Sequence, residues 1–142
     1  YAGVPGRMAW KVTPDGVNVI DDTYNANPAS MRSALQTLGE LSAGRKIAVL
    51  GDMLELGDDT AELHEELGQM AADIQVDALF AVGEHAASVA EGFGGKTVCV
   101  NDADEVIEPL KRLVRRGDWV LVKGSRGVRA ERVVQALMGG AA

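Results

Sequence analysis

The residues able to do chemistry collect in short polar stretches, each directly after an apolar run. Three of these stretches stand out: Asp21-Asp22-Thr23-Tyr24-Asn25-Ala26-Asn27, Gly51-Asp52-Met53-Leu54-Glu55-Leu56-Gly57 and Lys123-Gly124-Ser125-Arg126-Gly127. An acid at the end of a strand is placed to accept hydrogen bonds from ribose hydroxyls. Asp21 and Asp22 both meet that description, and both would equally cap a turn. Asn27 reads as a helix cap, whereas Tyr24 and Asn25 have no such structural task. Two cations, two glycines and a hydroxyl in the third stretch suit an anion cradle, although a solvated loop has the same composition. Asp52 and Glu55 are near enough to meet a cation or an ammonium group, with a surface loop as the alternative. His64 and His85 stand alone, and lone histidines near helices are more often packed or solvated than ligands. No His and Cys spacing suggests zinc. Neither G-x-x-x-x-G-K-[ST] nor G-x-G-x-x-G occurs, so the chain has neither fingerprint for holding nucleotide phosphates.

These stretches need elements to position them. Apolar, β-branched runs at Val17–Ile20, Lys46–Leu50, Ala78–Val82, Thr97–Val100 and Trp119–Val122 predict short buried strands. Helical periods fall between them, at Met31, Leu35, Leu38 and Leu41, at Leu63, Leu67, Met70 and Ile74, at Val106, Leu110 and Leu113, and at Ala130, Val133, Val134 and Leu137. A shorter, Ala-rich helix is expected between Gly83 and Gly92. Asn27 before Pro28 predicts a helix start, and Asp59 with Glu62 and Asp102 with Glu105 have capping-box spacing. Pro109 falls inside the third long helix and is expected to kink or restart it. A strand over Met8–Val12 with the turn Pro14-Asp15-Gly16 predicts a hairpin with the first buried strand. Strands alternating with helices give an α/β fold, a Rossmann-like and mostly parallel sheet flanked by helices, with one antiparallel strand at the N-terminal hairpin.

A chain of 142 residues, 46% hydrophobic and 25% charged, is an ordinary single globular domain. Its 14 basic against 21 acidic side chains give a formal charge of -7, which argues against a nucleic-acid partner. The single Cys99 cannot form an internal disulfide, and its apolar run predicts a buried strand thiol in a reducing cytoplasm. No run of about 20 apolar residues offers a membrane span. The start at Tyr1, without an initiator Met, suggests a piece of something longer.

Together, Gly6-Arg7-Met8, Asp21 to Pro28, Val49 to Gly57, His64 and Val122 to Gly127 resemble the C-terminal domain of the Mur ligases, in one order from Gly6 to the end. The resemblance implies that residues 1–142 are the third domain of a three-domain enzyme. It implies a cytoplasmic, monomeric, ATP-dependent ligase of peptidoglycan precursor synthesis, joining D-alanyl-D-alanine to UDP-N-acetylmuramoyl-tripeptide through an acyl phosphate. ATP would be shared with a central domain holding the P-loop and Mg2+, and no catalytic residue or metal is expected in this domain alone. By position, the resemblance gives Arg7 to the ATP phosphates, Asp22 to the ribose, and Tyr24 and Asn25 to the flanks of the nucleotide. It gives Asp52, Glu55, His64, Lys123, Ser125 and Arg126 to the dipeptide side. Two other readings remain open at this point: a stand-alone Rossmann-like nucleotide-binding module, and an interaction domain whose polar strand ends are solvated turns.

Overall fold

The computed structural model describes residues 9–23, 26–41, 44–54, 56–124 and 128–139. Arg7, Tyr24, Asn25, Glu55, Ser125 and Arg126, all expected site residues, lie outside them. The described strands are β1 (Ala9–Val12), β2 (Asn18–Asp22), β3 (Lys46–Gly51), β4 (Ala78–Val82), β5 (Thr97–Val100) and β6 (Trp119–Lys123). The described helices are α1 (Pro28–Gly39), α2 (Thr60–Asp73), α3 (Ala86–Phe93), α4 (Asp104–Leu113) and α5 (Glu131–Leu137).

The six strands form one sheet in the order β1-β2-β6-β3-β4-β5, antiparallel between β1 and β2 and parallel elsewhere. The hairpin turn is tied by the Thr13 amide donating to the Val17 carbonyl at 2.9 Å and by the Val17 amide donating to Thr13 Oγ1 at 3.0 Å. Successive residues of a strand point to opposite faces, and the two cores follow that alternation. Ile20, Ala48, Leu50, Leu79, Ala81 and Leu121 pack with α1, α2 and α3 on one face. Val19, Ile47, Val49, Phe80, Val82, Val120 and Val122 pack with α4 and α5 on the other. Each Val, Leu, Ile or Phe among these side chains, removed fully from water, contributes about 1.5–3 kcal/mol before conformational entropy is set against it.

Helix starts follow local chemistry in some places and packing in others. At α1, Asn27 Oδ1 accepts the Ser30 amide at 2.9 Å while Ser30 Oγ accepts the Asn27 amide at 3.1 Å, a reciprocal cap followed by Pro28 at the first helical position. Near α4, the Glu105 amide donates to Asp102 Oδ1 and Glu105 Oε1 accepts the Asp102 amide, so that expected box forms. Asp59 does not cap α2. The helix is instead entered through a 3-10 turn at Gly57–Asp59, with Thr60 Oγ1 donating to the Gly57 carbonyl at 2.7 Å. Pro109 does not restart α4, whose helical assignment continues through it. Val106 and Leu110, both fully buried, hold the helix to the sheet on either side of the missing hydrogen bond. Cys99 also departs from expectation: β5 is an edge strand, and the thiol is exposed.

The end of the sheet opposite the polar stretches is closed by one clamp. Arg45 Nε and Nη2 donate to Asp118 Oδ1 and Oδ2 at 3.0 and 2.7 Å, and Nη2 also donates to the Leu113 carbonyl at 2.8 Å. The Arg115 amide donates to the same carboxylate at 2.8 Å. Burial alone would push the Asp118 carboxyl up, but its hydrogen bonds from Arg45 and from the Arg115 amide, with the nearby positive charges, hold it below its ordinary value. Because the folded chain binds that proton less readily than the unfolded one, this contribution is complete above the ordinary carboxyl value and is lost as pH falls from that value through the lower folded one. Replacing Asp118 by Ala is expected to lower the unfolding free energy in urea by about 2–3 kcal/mol near neutral pH. The gap between variant and parent narrows below the ordinary carboxyl value of 3.8; a difference under about 0.5 kcal/mol at neutral pH would show that the clamp contributes nothing.

Candidate functional site

In an open parallel sheet, ligands bind outside the carboxyl ends of the strands. Asp22 and Lys123 are the last residues of β2 and β6 and are direct register partners. Two strand residues above them on each chain, Ile20 and Leu121 face α1, so Asp22 and Lys123 leave the sheet on that same face. Lys123 Nζ donates to Asp22 Oδ2 at 2.8 Å; the lysine side chain is 1% exposed and the aspartate 10%. Taking an ammonium group out of water is expensive unless an opposite charge meets it, and Asp22 supplies that charge. Asp21 has the opposite orientation, with Val19. Its Oδ1 accepts from Thr23 Oγ1 at 2.8 Å and its Oδ2 lies 3.2 Å from Lys11 Nζ across the hairpin.

A second group gathers around the exit of β3. Both oxygens of Asp52 accept backbone N–H groups, Oδ2 from Glu84 at 2.9 Å and Oδ1 from His85 at 3.0 Å, at the start of α3. A carboxylate there also meets the positive end of the helix dipole. Gly83, with φ of +116°, makes this possible: a Cβ at that position would overlap the Asp52 carboxylate. His64, in α2, is fully buried. Its Nε2 lies 3.0 Å from the Met53 amide, which can only donate, so the ring proton sits on Nδ1 and is donated to the Thr60 carbonyl at 2.7 Å. The ring packs against His85 with centroids 4.6 Å apart. His64 thus ties the loop after β3 to α2, and its ring nitrogens are both engaged.

The exits of β3 and β6 also touch each other. A Cβ on Gly51 would come within 3.2 Å of the Gly124 Cα, and one on Gly124 within 3.1 Å of the Gly51 Cα, with Val128 closing the gap. Beyond them a cleft of about 420 Å³ opens outside the ends of β3, β4 and β5, bordered by Asp52, Glu84, Asn101, Asp104, Arg129 and Arg132. Arg132 Nε lies 2.9 Å from Asp104 Oδ1 at its rim. Acids and guanidinium groups together suit a ligand carrying both charges. Among the described residues, no three His, Cys, Asp or Glu side chains gather as a metal site would require.

The model of the Mur ligase C-terminal region, described as the glutamate ligase domain, matches residues 6–126. The chain belongs to the Mur ligase family. A UDP-N-acetylmuramoyl-tripeptide--D-alanyl-D-alanine ligase of Mycobacterium leprae is 39% identical to it over 94% of the chain and 30% of the relative. The enzyme of the same name from Escherichia coli K12 is 38% identical over 94% of the chain and 30% of the relative. Among solved structures, the MurF ligase from Thermotoga maritima in complex with ADP superposes with a TM-score of 0.84 at 34% identity, covering 98% of this chain and 32% of that one. The chain therefore spans about a third of the length of these Mur ligases.

Within this Mur ligase domain, the expected site residues divide. Asp22 and Lys123 come together, as do Asp52 and His64, and the glycine-to-glycine contact joins the two loops that carry the second strand-end acid and the lysine. His64 exposes no surface to a ligand. Gly83 and the Met53 and Thr60 backbone groups escaped the sequence reading, because a backbone donor has no residue-type signal; a glycine directly after a strand was the one available hint.

Burial, followed by the opposing hydrogen bond to Thr60, leaves the His64 imidazole below its ordinary value of 6.5. Above that pH, folded and unfolded chains both carry a neutral ring. Below it the unfolded chain takes up a proton that the folded chain resists, so stability is lost as pH falls from the ordinary value toward the folded one. The chain is expected to lose unfolding free energy between pH 7 and pH 5, and His64→Gln to flatten that slope. An unchanged slope in the variant would remove His64 as its source.

Proposed function

We propose that this chain is the third domain of a longer, ATP-dependent ligase that joins D-alanyl-D-alanine to UDP-N-acetylmuramoyl-tripeptide, in cytoplasmic peptidoglycan precursor synthesis, acting as a monomer. The observation that carries this reading is the resemblance to D-alanyl-D-alanine ligases across nearly the whole chain, at 38–39% identity. The family likeness to a ligase crystallised with ADP supports the nucleotide half of it.

In that enzyme the chain acts as a lid. Asp22, at the carboxyl edge of the sheet, accepts hydrogen bonds from the ribose hydroxyls of ATP. Arg7 offers a planar fork of donors to the phosphates, and Tyr24 and Asn25 flank the nucleotide. On the acceptor side, Glu55 orients the dipeptide ammonium, while Ser125 and Arg126 hold its carboxylate. Asp52 and His64 support that side from within, the first by anchoring α3 and the second by fixing the Met53 amide. The mixed charge of the neighbouring cleft is the kind of surface a zwitterionic dipeptide requires.

The reaction follows from bringing these groups over the rest of the enzyme. ATP transfers its terminal phosphoryl group to the tripeptide carboxylate, the dipeptide amine attacks the resulting acyl phosphate, and inorganic phosphate leaves the tetrahedral intermediate. Closure excludes water, which would otherwise hydrolyse the acyl phosphate, and holds amine and carbonyl at reacting distance. Mg2+ and the phosphate cradle are assigned to the remainder of the polypeptide, so this domain alone is expected to be inactive.

Steady-state kinetics of the full-length ligase test both halves. Asp22→Ala is expected to raise the KM for ATP about tenfold, the loss of a charge-assisted hydrogen bond, and to leave that for D-alanyl-D-alanine near its parent value. An unchanged ATP constant would sink the ribose role. Arg126→Ala is expected to weaken use of D-alanyl-D-alanine by about tenfold or more and use of ATP far less. Equal losses for both substrates would count against a dipeptide contact.

A further inference from the structure

Lys123 carries a cation, stands at the carboxyl edge of the sheet and begins a glycine-rich loop, all of which suggest a direct hold on a carboxylate ligand. The surroundings of its side chain point elsewhere. In the plane of the sheet, β6 lies between β2 and β3, so Lys123 has one register partner on each side: Asp22 on β2 and Leu50 on β3. Leu50 is 1% exposed and apolar. Beyond it, the acceptor-side loop begins with Gly51, whose backbone packs on Gly124. The cation turns to the other neighbour and reaches Asp22 Oδ2 at 2.8 Å, with 1% of its side chain exposed.

From this arrangement we infer that Lys123 is a positioning residue for Asp22, acting on the nucleotide side of the site and making no contact with the amino acceptor. The inference rests on the proposed ribose role of Asp22, which it deepens. An aspartate has two soft torsions, and a carboxylate at a strand end is free to choose among rotamers unless something holds it. A pair of hydroxyls on a ribose needs acceptor oxygens at fixed positions, and effective orientation is worth far more than proximity alone. A buried ammonium group fixed by the pleat of the adjacent strand supplies that hold. It is pinned because β6 is flanked by β2 and β3, and both neighbours keep it in register.

The inference separates from a merely structural role by which substrate suffers. In the full-length ligase, Lys123→Met is expected to raise the KM for ATP about tenfold while the KM for D-alanyl-D-alanine stays within about twofold of the parent. Lys123→Arg keeps the charge but replaces a compact ammonium group with a planar fork in a closed space; it is expected to raise the ATP constant by a smaller factor and again spare the dipeptide. This second variant carries the test if the methionine variant does not fold, as judged by circular dichroism and thermal unfolding. Asp22→Asn closes a double-mutant cycle. If the two residues act as one unit, Asp22→Asn with Lys123→Met binds ATP no worse than Asp22→Asn alone. Losses that multiply overturn the inference, as does a selective rise in the dipeptide constant for either lysine variant. An ATP constant raised by Asp22→Asn but unmoved by both lysine variants overturns this inference alone. One unmoved by Asp22→Asn overturns it together with the ribose role on which it rests.

Discussion

Strand β6 is enclosed on every side: β2 and β3 pair with it in the plane of the sheet, and an apolar layer covers each face. A strand in that position has no freedom of register, because a slip of one residue would send Val120, Leu121 and Val122 to the wrong cores. The fixed register decides the rest of the carboxyl edge. It sets Lys123 beside Asp22, sends Asp21 to the opposite face, and brings Gly124 against Gly51. The polar chemistry at the end of the sheet is therefore specified by apolar packing several residues earlier.

Charge is used differently at the two ends of the sheet. At the amino end, Arg45 and Asp118 form a two-pronged clamp with backbone support from Arg115 and Leu113, partly open to solvent on the arginine side. At the carboxyl end the ion pair is withdrawn from water and its acid lies where a ligand would arrive. The first arrangement ties loops together. The second costs more desolvation and gains orientation, the usual balance at a site that must present a group in one pose.

Much of the fold was legible because it rests on patterns that residue types report. Apolar runs located all five predicted strands nearly to the residue, four of them buried, and the Asn27-Pro28 pair gave the start of α1. Reading failed where position in the sheet mattered more than composition: Thr97-Val98-Cys99-Val100 looks like an interior strand, yet β5 is at the edge and its thiol meets solvent. It failed again at Asp59, where Thr60 and a 3-10 turn took over the helix start, and Pro109 did not restart its helix, which flanking buried side chains hold to the sheet. For the candidate site, residue types at strand ends singled out Asp22, Asp52 and Lys123, which stand at the carboxyl edge of the sheet, with His64 on the helix that follows Asp52. Their partners were not legible, since Asp52 turns to backbone amides and Lys123 to a side chain 101 residues away.

The contact between Gly51 and Gly124 has one more consequence. Where two backbones meet without side chains between them, the space is shared, and Val128 occupies what remains of it. The three positions form a volume constraint that spans two loops far apart in the chain. Sequence drift in either loop is therefore not independent: a larger residue at one glycine requires a smaller one at Val128 or a shift of the other strand end. Changes in what these loops recognise must arise at the residues beyond the contact, which leaves the join itself as a fixed frame for diversification.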